Sequence, residues 1–489
     1  MASPILEFNY DVSCPFAYIA STRVEALAQR TNSTLIWRPV LLGAIYRATS
    51  APQGAAGSAS DVFNPTKKAV TARSMRRTLK RFNIAYNPPP QHPRKSVNAL
   101  RLIHYVGEAD RPALSHALFK AYWVEGRDVA DDEELLKVAR ECGVKGAEKL
   151  DKSAFKDASA RQALERATED AINRGAFGVP GFWVPQAKWQ DASGQQNTGR
   201  FFWGQDRMHF VEAALMTVKT GGDLKDVPGL RSLLPRCASM NKLPGKVRVE
   251  FWYDFSSPWA FLGWTQLQRL QRTFGKDLDI VMKPFLLGIL FREIGAPNLP
   301  MAAVSPQKAA WSRQDHADWV AFWNAVNVQE GNPDKQINFH WADVFPIRTP
   351  TVLRCALAEP KCIDVLYRAC WCHNKDVSKD SVLSDVLTEA GYSGPELLQR
   401  ANSAEIKAKL REATAEAKAV GICGVPSYRV FHESSNDTMQ NVGGIVWGQD
   451  QTDVLEDLIA GWDDTDKSDA RVAKPRNVEF GVSTASAKL

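Results

Sequence analysis

The chain has 489 residues, of which 44% are hydrophobic and 24% are charged, and its formal net charge at pH 7 is +6. This composition is typical of an ordinary globular protein, and the length predicts about two to four domains. The mild positive charge does not indicate nucleic acid as a partner. No apolar run reaches the roughly 18 residues that a membrane span needs, so we expect no membrane partner either.

The first part of the chain predicts strands and helices in the order of an α/β fold. In chain order these are a strand at Ile5–Tyr10, a helix from Pro15, a strand at Thr34–Arg38, helical segments within 65–83, 95–106 and 112–170, two strands after Val179-Pro180, and a helix at Gln205–Thr220.

The same order returns in the second part. Its predicted elements are a strand at Val247–Tyr253, a helix from Pro258, a strand at Leu278–Lys283, helical segments within 306–327, 350–372 and 380–420, two strands after Val425-Pro426, and a helix at Gln449–Gly461. Five blocks match between the two parts, among them Gly178-Val179-Pro180 with Gly424-Val425-Pro426, and Trp203-Gly204-Gln205-Asp206 with Trp447-Gly448-Gln449-Asp450. Such steady spacing indicates a duplication. The predicted domains are a first unit at 1–220, a linker at 221–245, a second unit at 246–465 and a polar tail at 466–489.

Seven basic residues lie close together within one predicted helix of the first unit: Lys67, Lys68, Arg73, Arg76, Arg77, Lys80 and Arg81. A solvated helix face is the favoured interpretation, and a grip on a phosphate backbone is the alternative. The eight cysteines show no Cys-x-x-Cys spacing, which indicates free thiols in a reducing compartment. Cys370, Cys372 and His373 match no common zinc spacing, so no metal site is predicted.

Two chemically related residues stand where the first helix of each unit begins. Cys14 precedes Pro15, and Ser257 precedes Pro258. The backbone N–H groups and dipole at a helix start favour negative charge, so we expect a lowered pKa for the Cys14 thiol. A serine hydroxyl in that place can donate a hydrogen bond to a thiolate on another molecule. Both residues therefore fit a site that handles a thiolate.

Two further motifs accompany these helix starts. The bonds Val179-Pro180 and Val425-Pro426 are predicted to be cis, which exposes the backbone of the preceding residue to an extended peptide. The turn at Gly204-Gln205-Asp206-Arg207 offers backbone amides, a carboxylate and a guanidinium, the combination that an α-amino acid head group needs. In the second unit Gln451 replaces the arginine after Gln449 and Asp450.

Taken together, these motifs resemble the kappa-class glutathione transferases and the 2-hydroxychromene-2-carboxylate isomerases, within the DsbA-like thioredoxin superfamily. The resemblance covers nearly the whole of both units. It rests on the segment from Tyr253 to Trp259, on Leu286-Leu287-Gly288 with Asn298, on Pro65-Thr66-Lys67 and Pro306-Gln307-Lys308, and on the run from Val124 to Val129.

The resemblance implies an α/β thioredoxin fold, with an all-helical insert in each unit, and an intramolecular pseudo-dimer of the two units. It further implies that glutathione lies along the Val-Pro edge, with its thiolate facing Cys14 or Ser257 and its γ-glutamyl group at the Gly-Gln-Asp-Arg turn. Its other carboxylate would meet Lys67 or Lys308, with Gln53 or Asn298. The implied activity is a glutathione-dependent isomerisation or transfer on an unsaturated, electrophilic small molecule.

Two other functions remain open at this point. A monothiol disulfide oxidoreductase of the DsbA-like type would use Cys14, although Ala17 stands where a resolving thiol normally lies. A protein that binds glutathione without catalysis is the second alternative.

The C-terminal residues Ala487-Lys488-Leu489 differ by one conservative change from the Ser-Lys-Leu signal for peroxisomal import. Because the preceding tail is polar and lacks an apolar pattern, the signal would be presented on a free end. We therefore expect a peroxisomal location.

Overall fold

The computed structural model describes residues 3–52, 63–191, 194–462 and 464. Gln53 and the C-terminal tripeptide, on which two of the expectations above depend, lie outside these residues. Within the described part no helix is long and apolar enough to cross a bilayer.

The helices and strands follow the predicted order closely. In the first repeat they are β1 (Ile5–Tyr10), α1 (Pro15–Thr31), β2 (Thr34–Pro39), α2 (Leu42–Ala48), α3 (Pro65–Arg81), α4 (Val97–Tyr105), α5 (Arg111–Trp123), α6 (Asp132–Glu141), α7 (Ala158–Asn173), β3 (Gly181–Gln190), β4 (Gln196–Trp203) and α8 (Met208–Thr220). In the second they are β5 (Val247–Tyr253), α9 (Pro258–Phe274), β6 (Leu278–Pro284), α10 (Leu287–Ile294), α11 (Pro306–Gln329), α12 (Pro350–Ala358), α13 (Ile363–Trp371), α14 (Asp380–Glu389), α15 (Gly394–Ala401), α16 (Ala404–Ala419), β7 (Ser427–Glu433), β8 (Met439–Trp447) and α17 (Thr452–Ile459).

Each repeat builds one four-stranded sheet with the same topology. The strand orders are β2-β1-β3-β4 and β6-β5-β7-β8. The two N-terminal strands of each sheet are parallel, and the other neighbours are antiparallel. Strand β1 is buried along almost its whole length because strands flank it and helices cover it. Two thioredoxin-fold units with helical inserts are therefore present, and the predicted fold class is confirmed.

The compact units do not follow the repeat boundaries at two helices. Among the described residues, unit 1 consists of 3–52, 83–191, 194–233 and 304–325, and unit 2 consists of 63–82, 234–303, 326–462 and 464. Helix α3 of the first repeat thus belongs to unit 2, and most of helix α11 of the second repeat belongs to unit 1. We call α3 and α11 the exchanged helices.

Local sequence explains where the exchanged helices begin. Each has proline at its first position, where the missing N–H costs no hydrogen bond. The side chain of Asn64 accepts a hydrogen bond from the backbone N–H of Lys67 at 2.9 Å. Ser305 accepts one from the N–H of Lys308 at 3.3 Å. Both lysines are thereby fixed in the first turn of a capped helix.

The segment that was predicted as a linker is partly buried and ordered. It contains short 3-10 turns at Leu224–Asp226 and Leu230–Leu233. Arg236 is fully buried, and its guanidinium pairs with Glu456 and Asp457 of α17. The Gly, Pro and Lys content that suggested a linker did not reveal this burial, which depends on partners about 220 residues away.

Candidate functional site

The helix start at Cys14 lies directly beside the Val179-Pro180 bond in unit 1. Cys14 is the N-cap residue of α1, and its backbone is extended there, with φ −97° and ψ 118°. Its Sγ donates a hydrogen bond to the carbonyl oxygen of Val179 at 3.3 Å. The sequence prediction that these two motifs share one site is consistent with this contact.

The expectation of a lowered pKa for Cys14 is wrong for this structure. Burial raises the pKa of the thiol to about 12, against the smaller opposite effect of the backbone N–H groups of Phe16 and Ala17. Only 6% of the residue is exposed. The cost of burying the charged thiolate is therefore larger than the stabilisation that the helix N-terminus gives it. The thiol is therefore protonated at neutral pH and acts as a hydrogen-bond donor.

Ser257 has the corresponding place in unit 2. It is the N-cap residue of α9, and its Oγ accepts a hydrogen bond from the backbone N–H of Ala260 at 3.2 Å. Because the oxygen accepts from the backbone, the hydroxyl hydrogen can be donated to a ligand. Ser257 is 8% exposed, close to the value for Cys14.

The proline motif and the glycine turn are joined in both units. The Val179-Pro180 and Val425-Pro426 bonds are cis, as predicted. The carbonyl oxygen of Pro180 accepts a hydrogen bond from the N–H of Gly204 at 3.0 Å, and Pro426 accepts one from Gly448 at 3.0 Å. The turns that carry Gln205 and Asp206, or Gln449 and Asp450, therefore lie next to the cis-proline edge.

A tryptophan lies against the glycine before each Val-Pro pair. A Cβ added to Gly178 would lie 2.9 Å from Nε1 of Trp203, and one added to Gly424 would lie 2.7 Å from Nε1 of Trp447. A larger residue would displace the indole, so glycine is required by this close approach.

The two lysines of the family motif lie beside these tryptophans, but each is in the unit of the other repeat. The Nζ of Lys308 lies 5.2 Å from the ring centre of Trp203. The Nζ of Lys67 lies 5.3 Å from the ring of Trp447 and 4.4 Å from that of Phe63. Burial lowers the pKa of Lys67, and the nearby Cys423 thiol opposes this.

The resemblance places Pro65-Thr66-Lys67 in the first repeat and Pro306-Gln307-Lys308 in the second, and it leaves open which lysine serves Cys14 and which serves Ser257. The structure places Lys308 in the unit of Cys14 and Lys67 in the unit of Ser257. Asn298, which is exposed, shares unit 2 with Lys67 rather than with Lys308.

The guanidinium of Arg207 makes a bidentate contact with a carboxylate of the protein itself. Its Nε and Nη2 donate to the two carboxylate oxygens of Asp315 at 2.7 and 3.0 Å, and Nη1 donates to Asp206 at 2.8 Å. Arg207 and Asp315 are both buried. The predicted fork toward a ligand carboxylate is therefore already occupied by Asp315, a partner that only the exchange of α11 brings close.

The glutamines of the two turns have different surroundings. In unit 1 the Nη2 of Arg23 donates to the side chain of Gln205 at 2.5 Å and to its backbone carbonyl at 2.8 Å. In unit 2 Gln449 is 1% exposed, and among the described residues neither of its amide atoms has a hydrogen-bond partner. A buried amide without partners is costly, so Gln449 is suited to a polar ligand group.

Sequence reasoning did not single out the two buried aspartates that fix these helix starts. Asp11 accepts hydrogen bonds from the backbone N–H groups of Ser13 and Leu42, each at 3.0 Å. Asp254 accepts corresponding bonds in unit 2, from Ser256 at 2.9 Å and Leu287 at 3.0 Å. The sequence feature that could have identified these aspartates is the Tyr-Asp pair at the end of the first strand in both repeats.

Comparison with known proteins agrees with this architecture. The family model of the DSBA-like thioredoxin domain matches residues 5–216 and again 248–460. Glutathione S-transferase kappa 1 of Caenorhabditis elegans is 22% identical over 217 residues, which are 42% of this chain and 89% of that protein. The 2-hydroxychromene-2-carboxylate isomerase of Pseudomonas putida is 29% identical over 221 residues, 43% of this chain and 94% of that protein. The isomerase of the same name from Sphingobium xenophagum is 24% identical over 220 residues, 43% of this chain and 97% of that protein.

The matched stretches of these relatives correspond in length to one repeat, whereas the family model accounts for most of the chain. This chain therefore belongs to the DSBA-like thioredoxin domain family and contains that domain twice.

Proposed function

We propose that the chain is a glutathione-dependent isomerase or transferase that acts on an unsaturated, electrophilic small molecule. The observation that carries the proposal is the 3.3 Å contact between Sγ of Cys14 and the carbonyl oxygen of Val179. It puts a hydrogen-bond donor at the cis-proline edge, where the backbone of a small peptide can pair in strand fashion. Relatives named as a kappa glutathione transferase and as isomerases support the same class of function.

The residues at each helix start fit a glutathione thiolate. Ser257 holds a hydroxyl whose oxygen is already oriented by the N–H of Ala260. Cys14 holds a protonated thiol in the same position of unit 1. A donor that is fixed in place before the ligand arrives stabilises negative charge without reorganising.

Other groups fit the two ends of the peptide. Lys308 beside Trp203, and Lys67 beside Trp447, supply a positive charge for a carboxylate. The turns after those tryptophans supply backbone N–H groups, together with Asp206 or Asp450 for an ammonium group. Glutathione, when bound, supplies a thiolate that adds to an activated double bond and is either retained by the product or expelled again.

A disulfide oxidoreductase is less well supported by the site. Such an enzyme needs a reactive thiolate, whereas burial raises the pKa of Cys14 to about 12. All eight cysteines are free thiols, and Ala17 and Ala260 stand where a resolving cysteine would lie.

The proposal is tested by glutathione binding and turnover in the full chain. We expect calorimetric binding of glutathione and of S-methylglutathione, because the backbone and the carboxylates are recognised in both. Turnover of an unsaturated ketone should require glutathione and should fall by ~100-fold in Ser257→Ala with Cys14→Ala. Insulin disulfide reduction without such turnover would favour the oxidoreductase, and binding without any turnover would favour a binding protein.

A further inference from the structure

The exchanged helices α3 and α11 occupy equivalent places in their units but present opposite chemistry. Both begin with a proline and carry a lysine two positions later, Lys67 or Lys308, beside the tryptophan at the end of the last strand. Aligning these lysines aligns the rest of the two helices. The same tryptophans align the surfaces that receive them.

The fourth turn of the helices shows the first difference. Arg77 of α3 corresponds to Asp318 of α11. In unit 2 Arg77 donates to the backbone carbonyl of Ile445 at 3.0 Å, next to Gly444. In unit 1 Asp318 pairs with Arg200, which lies three residues before Trp203, as Gly444 lies three residues before Trp447.

Gly444 has a φ of +64°, a backbone conformation that favours glycine. A Cβ added there would lie 3.1 Å from the guanidinium of Arg73, so the arginine side chain would have to shift. Unit 2 therefore has room for two arginines of α3 at the point where unit 1 presents an arginine of its own. Arg77 also pairs with Asp464 at 2.7 Å, which completes its neutralisation.

The next turn shows a second difference. Arg81 of α3 corresponds to Phe322 of α11. Arg81 pairs with Asp453 and, at 2.8 Å, with Asp457, and all three side chains are buried. Phe322 instead packs edge-on against His209, the residue that corresponds to Asp453, with ring centres 5.3 Å apart.

In a third pair the helix supplies the negative charge and the unit supplies the positive charge. Asp315 of α11 pairs with Arg207 through two hydrogen bonds, both sides being buried. The corresponding residues in unit 2 are Ser74 and Gln451, which are neutral. Unit 2 is thus built to receive a basic helix, and unit 1 to receive a helix with acidic and aromatic residues.

Mismatched docking would leave buried charges opposed or unpaired. Helix α3 on unit 1 would bring Arg77 against Arg200 and would take the buried carboxylate of Asp315 away from Arg207. Helix α11 on unit 2 would leave Asp453 opposite Phe322. Uncompensated buried charge strongly disfavours an arrangement, so such pairs discriminate between partners.

We infer that these residues determine on which unit each exchanged helix packs. The acidic surface formed by Asp453, Asp457 and Asp464 selects the basic face of α3. The surface formed by Arg200, Arg207 and His209 selects the acidic and aromatic face of α11. The chain is thereby restricted to one exchange pattern.

The test transplants one pair of unit 1 into unit 2 of the full chain. Arg81→Phe and Asp453→His are made alone and together, and amide hydrogen exchange of residues 65–81 is measured. Arg81→Phe leaves the buried Asp453 without its cation, and Asp453→His leaves Arg81 with Asp457 alone, so each single variant should speed exchange by at least ~30-fold. The double variant recreates the Phe322–His209 pair, while Asp457 keeps Arg236 as its cation, and it should stay within ~5-fold of the unmodified chain. Equal effects in the double variant and in the product of the two single variants would overturn the inference.

Two controls distinguish selective packing of the exchanged helix from general destabilisation. Arg81→Lys keeps the positive charge, so its exchange should lie between that of Arg81→Phe and that of the unmodified chain. Arg368→Phe with Asp364→His changes an exposed pair and should leave residues 65–81 unaffected. If this control speeds exchange of residues 65–81 as much as the buried single variants do, the inference is disproved.

Discussion

The thiol of Cys14 donates to the carbonyl oxygen of Val179 across 3.3 Å, between two residues that are 165 positions apart in the chain. That contact defines the chemistry available at the first site, because a thiol that donates is a thiol that is not ionised. It also shows why a serine can replace the cysteine in the second repeat. Like the thiol, the hydroxyl of Ser257 at the equivalent helix start has a hydrogen that it can donate.

Cys14→Ser should retain glutathione-dependent turnover within about threefold, since the smaller hydroxyl makes the same donation with similar geometry. Cys14→Ala should lose the contribution of unit 1. Both are measured in a Ser257→Ala background, so that turnover reports on unit 1 alone. A loss in Cys14→Ser as large as that in Cys14→Ala would identify Cys14 as a nucleophile.

Alkylation of Cys14 by iodoacetamide at pH 7.5 should be slower than that of a free cysteine by ~100-fold or more. The reason is that burial raises the pKa of the thiol to about 12 and excludes the reagent. Mass spectrometry of the tryptic peptide gives the rate, and Cys142, which is partly exposed, is the internal comparison. Rapid modification of Cys14 would contradict the protonated state.

Lys308→Met should weaken glutathione binding at the Cys14 site, and Lys67→Met should weaken it at the Ser257 site. The loss of a charge-assisted contact predicts about a ten- to a hundredfold weaker binding. The indole NMR signals of Trp203 and Trp447, assigned through phenylalanine variants, report each site separately during a titration. Lys137→Met, on an exposed face of α6, serves as the control. If Lys308→Met acts at Trp447 instead, the assignment of lysines to units is wrong.

Arg207→Gln should lower the free energy of unfolding by roughly 3–5 kcal/mol, because it leaves Asp315 buried without its cation. Urea unfolding measures the change, and Arg368→Gln, in an exposed pair, should cost less than about 1 kcal/mol. A stable Arg207→Gln protein with weakened glutathione binding would instead restore the role that the sequence suggested for Arg207.

His104 should make the protein less stable as the pH falls from 6.5 to 4. Its Nε2 lies 3.0 Å from the carbonyl oxygen of Pro39, and burial lowers its pKa to about 4. The unfolded chain binds a proton below about pH 6.5 while the folded chain does not, so acid favours unfolding in this window, by on the order of 1–3 kcal/mol. Unfolding free energies of the unmodified chain and of His104→Gln should converge as the pH is lowered. Parallel curves would show that His104 does not titrate in this way.

The repeats, the strand positions and the cis bonds of the two Val-Pro pairs could be predicted because they depend on local pattern, whereas the cis bonds at His92-Pro93 and Phe345-Pro346 were not predicted. Strand β1 was placed at Ile5–Tyr10, as observed. The helical stretch at 112–170 was correct in type, but breaks between α5, α6 and α7 were missed because turns such as that at Gly143 interrupt it without a proline. The short helices α2 and α10 were also missed.

The exchange of helices could not be predicted, since local sequence does not report which copy a helix packs on. The basic segment was interpreted as a solvated face, yet Arg77 and Arg81 are each only 3% exposed. Their carboxylates lie more than 370 residues away in the chain. The pKa of Cys14 failed for a related reason: a helix start is visible in sequence, and burial is not.

The helix exchange also constrains how this gene can change. Because each unit contains a helix encoded by the opposite repeat, deleting one copy would remove a structural part from the survivor. A frameshift or nonsense mutation before residue 304 would therefore remove α11 from the first unit as well. The two repeats can therefore diverge by substitutions, but neither can be deleted without loss of a helix from the unit that remains.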